Sequence, residues 1–360
     1  MANEIENMYS PDFVSPPGET LEELLEDRGM RQAELAERMG RPRKTINEII
    51  QGKAAITAET ALQLERVLGT PARFWLEREQ HYREFLARQS DEAQLTQQIG
   101  WLNEVPLSEL IQCKLVAARA EPVAQLREVL AFYGIASPAQ YTSVPASFRR
   151  SSAFQSDSRT IVAWLRQGER LALDVDTAPF DEVRFRNVLG EARALTRMDF
   201  QRVRTELPTL CAQAGVAVVI VPELPRTRVC GATRWLAPTK ALIQLSLRYK
   251  TDDQFWFTFF HEAAHILLHG KRSAFIDEDA AVDDAQEHEA NAFARDLLIQ
   301  PADLARLRAR RKGYYSADLV KRFAAEIGIA PGIVVGRLQH NNELPRTHLN
   351  GLKRRLIPNE

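Results

Sequence analysis

The sequence predicts an α+β chain that is mainly helical, and three observations carry this. Five short amphipathic helical patterns crowd the first ninety residues, most of them closed by a glycine. Near residue 215 the texture becomes β-branched and continuously apolar, as a buried strand requires. Helical periodicity then returns, and its most apolar stretch, "FWFTFFHEAAHILLH" (Phe255–His269), holds three of the chain's seven histidines and a glutamate.

Taken in order, residues 1–18 read as a flexible lead-in that ends in the breaker Pro16-Pro17-Gly18. "TLEELLEDRG" follows, with Thr20 and Glu23 at capping-box spacing and Gly29 as the stop. "RQAELAERMG" stops at Gly40, and "RPRKTINEIIQG" has Pro42 near its start and Gly52 at its end. "TAETALQLERVLG" ends at Gly69, and "PARFWLEREQHYREFLARQ" opens on Pro71, which suits a first helical turn. These five patterns define an all-helical module over residues 19–90. Residues 91–190 are helical by pattern ("PVAQLREVLAFYGI", "RTIVAWLRQGERLAL"), divided by Pro138, Pro145 and Pro179. They carry no chemistry and read as a linker or dimerisation region.

A C-terminal domain over 191–360 starts with three short strands, "GVAVVIVPEL", "GATRW" and "KALIQLSL", the last two separated by the turn Ala237-Pro238-Thr239. The apolar stretch is then a helix that Asp252 or Asp253 can cap and Gly270 stops. "AQEHEANAFARDLLIQP", "SADLVKRFAAEIG" and "PGIVVGRLQH" are later helices. The basic runs "RLRARRKGYY" and "LKRRL" read as solvated helix faces.

Composition narrows the function classes. A net charge of -1 in 360 residues excludes a globally basic nucleic-acid binder, so any such role rests on a local patch. The three cysteines are scattered without CxxC spacing, which fits a reduced compartment and excludes a cysteine zinc site. The polar, acidic N-terminus is no secretory signal and no apolar run spans a bilayer, so the expectation is a cytoplasmic protein with no membrane partner.

Within "QAELAERMGRPRKTINEII", Ala36 is small where two helices must approach, and Gly40 sits where the chain must turn. Ile46 and Ile49 face the core. This is the geometry that presents a second helix to a DNA major groove. Its outward positions are Arg43, Lys44, Thr45, Asn47 and Glu48. Basic residues 38, 41, 43, 44 and 53 face a single acid, Glu48. Arg41 and Lys53 therefore join the expected contact set, and Gln32 can hold a phosphate at the start of its helix.

His261 and His265 stand four apart, so both rings leave one face of a helix and can hold one Zn²⁺. Glu262 beside them can serve as general base, the HExxH pattern. His269 is a turn further on. Three histidines on one helix drift around its axis, so His269 is expected beside the site or at the helix end. A third ligand must come from elsewhere. The next helix offers Glu287, His288 and Glu289. Glu289 lies four residues before Phe293, at the edge of the apolar face, and can point inward, a tie that Glu287 lacks.

Two resemblances follow from these motifs. "INEIIQGK", "ITAETALQLERVLGT" and "FWL", within residues 16–90, resemble the DNA-binding module of HigA-like antitoxins among the Xre/Cro-type repressors. That implies binding of double-stranded operator DNA as a homodimer, through the second helix of the pair. "FTFFHEAAHILLHG" and "EHEANAFARDLLIQP", together with the strand "ALIQLSL" before them, resemble the ImmA/IrrE metallopeptidases over residues 190–340. This second resemblance implies a zincin-like domain with zinc on His261, His265 and Glu289, Glu262 as general base, and cleavage of Xre-type repressors. The combination suggests a one-chain switch: a DNA-binding regulator with a zinc endopeptidase that cuts a repressor-type protein, itself or a partner. The alternatives are a regulator whose metallopeptidase-like domain only senses a ligand or metal, and an antitoxin that binds a toxin.

Overall fold

The computed structural model describes residues 14–141, 158–225, 227, 229–269, 284–311 and 313–356. Residues 1–13 of the lead-in expected over 1–18, Pro145 and the Gly270 stop lie outside them. The chain divides into two compact units, residues 1–99 and 100–360.

The first unit contains α1 (Pro17–Asp27), α2 (Gln32–Met39), α3 (Arg43–Ile50), α4 (Ala58–Leu68) and α5 (Ala72–Gln98). Leu21, Leu35, Ile46, Leu64 and Trp75, one from each helix, are fully buried in a shared core. Helix α1 begins earlier than its capping-box pattern suggests. Pro16 is the N-cap and no side chain caps the helix, so Thr20 lies inside it. Pro17 tolerates a first-turn position because the amide hydrogen it lacks has no partner there anyway. Gly40 closes α2 in the left-handed region at φ 66°, and its N–H donates to the carbonyls of Ala36 and Glu37. Helix α5 continues through the boundary expected at residue 90. The i,i+4 pairs Arg73–Glu77, Arg83–Glu79 and Arg88–Glu84, at 2.5, 2.6 and 2.6 Å, line this largely exposed helix.

The second unit begins with α6 (Leu107–Gln112), α7 (Pro122–Tyr133), α8 (Ser158–Leu173), α9 (Glu182–Leu195) and α10 (Phe200–Ala212). The strands β1 (Val216–Ile220), β2 (Gly231–Ala237) and β3 (Lys240–Leu245) follow, then α11 (Asp252–Leu268), α12 (Asp284–Leu298), α13 (Pro301–Ala309), α14 (Ala317–Ile327) and α15 (Pro331–His340). The sheet order is β1-β3-β2. β1 runs parallel to β3 (Val216 opposite Ala241), and β2 antiparallel (Gly231 opposite Leu245).

Strand alternation divides β3 between two layers. Ala241, Ile243 and Leu245 join the core that holds Phe255, Trp256, Phe259 and Phe260 of α11. Gln244 turns the other way, and its amide donates to the Trp164 carbonyl on α8 at 2.7 Å. The Trp164 indole in turn donates to the carbonyl of Val221, 3.1 Å away, just past β1. The helical segment 158–173, a spacer by its sequence pattern, is thus docked on the sheet, and the boundary expected near residue 190 falls inside this unit.

The start of α11 also departs from expectation. Thr251 is the N-cap, without a side-chain bond, and neither Asp252 nor Asp253 caps the helix. Both are buried and face the chain's C-terminal segment instead. Asp252 accepts from the Arg354 backbone N–H at 3.0 Å and from its Nε at 3.2 Å, and Lys353 Nζ lies 2.7 Å from Asp253. The run "LKRRL" is therefore no solvated helix face. It pins the first turn of α11, because carboxylates taken out of water need cationic partners.

Candidate metal centre

Helix α11 is buried on nearly all sides, and one strip of it stays polar. The side chains of His261 and His265 are 12% and 19% exposed. Their Nε2 atoms lie 3.0 Å apart. The third donor comes from α12, where Glu287 places one carboxylate oxygen 3.3 Å from His261 Nε2 and the other 3.5 Å from His265 Nε2. Nitrogen and oxygen ligands at about 2.0–2.1 Å around a tetrahedral ion stand about 3.3–3.4 Å from one another. The two nitrogens and the two carboxylate oxygens stand 3.0–3.5 Å apart across these contacts, close to that spacing, and two imidazoles with one carboxylate form a donor set suited to zinc.

Glu289, the third ligand expected from sequence, is not in this cluster. It lies 3.3 Å from His269 Nε2 and its side chain is 66% exposed. Helix geometry gives the reason. The buried positions of α12 include Ala290, Ala294 and Leu298. Glu287 is seven residues before Ala294, which returns it to within about 20° of the same direction. Glu289 is five before, about 140° away. Ala294 marks the inward face of α12, and the half-buried Phe293 sits at its margin. Spacing counted from the alanines selects Glu287.

Asn291, which lies in the motif helix but is not among the expected site residues, completes the arrangement. It sits one turn after Glu287, and its side-chain oxygen is 3.1 Å from His261 Nδ1. A proton on Nδ1 directed at this oxygen leaves Nε2 with its lone pair toward the other donors. His269 ends the helix as its C-cap, with its Nδ1 2.9 Å from that of His265. The far end of α12 is fixed by Arg193 of α9, whose guanidinium donates to the carbonyls of Leu297 and Ile327 at 2.9 and 2.8 Å.

Glu262 is buried against β2. A Cβ on Gly231 would lie 2.8 Å from the Glu262 carboxylate, so this strand and α11 approach as closely as glycine alone permits.

In the first unit, α2, Gly40 and α3 form the expected helix pair, with Ala36, Ile46 and Ile49 buried. Arg43, Lys44, Asn47 and Lys53 are exposed, and Thr45 is half-buried. Lys44 lies 3.7 Å from Glu48, and Asn47 accepts from the Gln51 amide at 3.3 Å. Arg41 is tied into its own fold: Nε donates to Gln63 at 2.5 Å and Nη2 is 3.4 Å from Glu59. Gln32 opens α2 and reaches Glu22 at 3.5 Å.

Residues 21–75 match the family model described as a helix-turn-helix, and residues 231–339 match the IrrE N-terminal-like domain, a peptidase family. The chain joins a helix-turn-helix domain to an IrrE N-terminal-like domain. Two solved structures are similar to about a quarter of the chain. One is described as an antidote protein of a plasmid maintenance system from Nostoc punctiforme, 33% identical over 23% of this chain and 92% of its own, with a TM-score of 0.23. The other is an addiction module antidote protein of the HigA family from Coxiella burnetii, 32% identical over 23% and 91%, with a TM-score of 0.22. No curated protein matches the chain.

Burial and mutual contact shift the ionisable groups of the candidate metal centre. Burial pushes Glu262 up to about 7, although the neighbouring His261 pulls it down. His265 is lowered to about 4 by burial and by the adjacent His261, so it is a neutral imidazole at neutral pH, as a metal ligand must be. Burial also lowers His261, but its bond to Glu287 and the charge of Glu262 outweigh that and raise it. Glu287 is held below the ordinary carboxylate range, first by its bond to His261. Among the described residues, no helix is long and apolar enough to cross a membrane.

Proposed function

We propose that the chain is a DNA-binding transcription regulator whose IrrE N-terminal-like domain is a zinc-dependent endopeptidase acting on a repressor-type protein, itself or a partner. The observation that carries this reading is the convergence of His261, His265 and Glu287 donors beside a buried Glu262. In this assignment Glu287 replaces Glu289 as the third ligand. His261, His265 and Glu287 would hold a divalent zinc ion, which would supply Lewis-acid polarisation of the scissile carbonyl and of a water.

The protein's own groups do the rest. Glu262 accepts a proton from the water as its oxygen bonds to the carbonyl carbon. It then returns that proton to the amide nitrogen as the C–N bond breaks. Burial raises this carboxyl above the ordinary carboxylate range, so it holds a proton more readily than a solvated glutamate. Asn291 keeps the His261 ring oriented. β2, next to Glu262, is an edge strand of the three-stranded sheet, and its outer backbone groups can pair with an extended peptide. The helix-turn-helix domain delivers this activity to an operator, with Arg43, Lys44, Asn47 and Lys53 on bases and phosphates.

The test is Glu262→Gln in the full chain loaded with zinc, assayed for cleavage of itself and of co-encoded proteins. Hydrolysis should fall by about 10²–10⁴-fold while metal content and operator binding stay unchanged. Wild-type protein that holds zinc and binds its operator but cuts neither itself nor a partner would shift the reading to a metal or ligand sensor. Co-purification of a small toxic protein would shift it to an antitoxin.

A further inference from the structure

A second polar site lies at the far end of α12, among residues that the peptidase chemistry does not use. A cavity of about 470 Å³ opens between the ends of α12, α13 and α15, and Arg295, Arg308 and Arg337 line it together with Asp296, Asn341 and Glu343. Its size is that of a small-molecule pocket. Arg295 is eight residues beyond Glu287, about 12 Å along the helix axis, so the cavity is separate from the metal cluster.

The charges around it do not balance. Asp296 is taken by Arg295 at 2.9 Å. Glu343 is taken by Arg308, whose Nε and Nη2 donate to its two oxygens at 3.0 and 2.5 Å, and it accepts further bonds from Tyr315 and Asn341 at 2.8 Å each. Both acids are therefore committed. Arg337 is left over: its Nε and Nη1 are buried and have no hydrogen-bond partner among the described residues. A partly desolvated guanidinium with unmatched donors is costly, and an incoming anion relieves that cost. Burial lowers Arg337 to about 10, with the nearby Arg295 acting in the same direction, and it stays cationic at neutral pH.

We propose that this cavity binds the phosphate or carboxylate group of a small hydroxylated molecule. Arg337 supplies the uncompensated charge, Arg295 and Arg308 flank it, and the Asn341 amide oxygen and the Asp296 oxygen that Arg295 leaves can accept from the ligand's hydroxyl groups. Three arginines with planar donor forks favour an oxyanion over a halide. The proposal does not depend on peptidase activity.

Isothermal titration of the full chain with glycerol 3-phosphate, glycerate and neutral glycerol tests it. Saturable one-to-one binding of at least one anion, with none of glycerol, is expected. The tighter of the two identifies phosphate or carboxylate as the recognised group. Arg337→Met should weaken that binding by on the order of tenfold or more, and Arg322→Met, an exposed arginine on α14, should leave it unchanged. If circular dichroism shows that Arg337→Met does not fold, Arg337→Lys, which keeps the charge but not the fork, must show the loss instead. No saturable binding of either anion, binding that survives the Arg337 change, or an equal loss in Arg322→Met overturns the proposal.

Discussion

In the helix-turn-helix domain the α3 residues proposed to meet DNA stand on the outside of the helix, where Lys44 is 84% exposed. In the IrrE N-terminal-like domain the residues offered to a metal stand on α11, where His261 is 12% exposed and Glu262 is buried. The first set costs the fold almost nothing, because water solvates an exposed lysine or arginine wherever it stands. The second set is expensive, because two imidazoles and a carboxylate have been taken out of water inside an apolar helix. Removing an exposed side chain should therefore change binding and leave stability alone. Altering a buried group should disturb the whole site, even when its shape is kept.

That contrast can be broken or sharpened in several ways. The largest effect is expected at Glu287. Glu287→Gln should weaken zinc affinity by about a hundredfold or more, since loss of even a group that only orients a ligand costs about 10–100-fold. Glu289→Gln should leave it nearly unchanged. Metal analysis and chelator competition on both variants decide between the two glutamates, and the reverse ranking would restore Glu289 as the ligand. Next comes Ile46→Ala, which removes a fully buried side chain from the core behind α3 and should cost about 2–5 kcal/mol in chemical denaturation of the N-terminal domain.

On the outward face of the same helix, Arg43→Ala and Lys44→Ala should each move stability by no more than about 0.5 kcal/mol. Operator affinity should nevertheless fall, and the slope of log affinity against log salt should shrink by about 0.9 for each phosphate no longer neutralised. Gel shifts at two salt concentrations check this, and unchanged affinity in both variants would remove α3 from the interface. The smallest effect concerns Glu343, which its bonds to Arg308 hold down at about 2. Its folded value lies below the ordinary carboxylate value. Its contribution is therefore complete above about pH 4.5 and declines as pH falls toward 2. Denaturation midpoints between about pH 5 and 2 should fall less steeply in Glu343→Gln than in the wild type.

The legibility of the two sites follows the same contrast. His261, Glu262 and His265 are readable because burying such polar side chains inside "FWFTFFHEAAHILLH" is costly unless a metal or a reaction needs them there. Helix α3 is readable as an element from Gly40, Pro42 and the isoleucines. Its contact residues are less so, since a charged surface position looks the same with or without a ligand. Arg41 shows the ambiguity: a DNA contact by its charge alone, it donates to Gln63 and stands 3.4 Å from Glu59 within its own fold. Glu287 escapes any reading that sets the inward face by Phe293, because the smaller Ala290 and Ala294 mark where α12 meets its neighbours.

By itself the sequence determined the five N-terminal helices, the three strands, the helix with the two-histidine metal motif and the helix pair of a DNA-binding module. These rest on local periodicity, capping and spacing within single elements. Only the tertiary structure decided which glutamate meets the histidines, that Asn291 orients one of them, and that Gly231 lets β2 close on Glu262. It alone showed that Lys353 and Arg354 hold the start of α11, and that Arg337 has buried donors without a partner among the described residues. Each of these depends on the direction in which one element faces another. That direction is set by how the whole core packs, and no single segment encodes it.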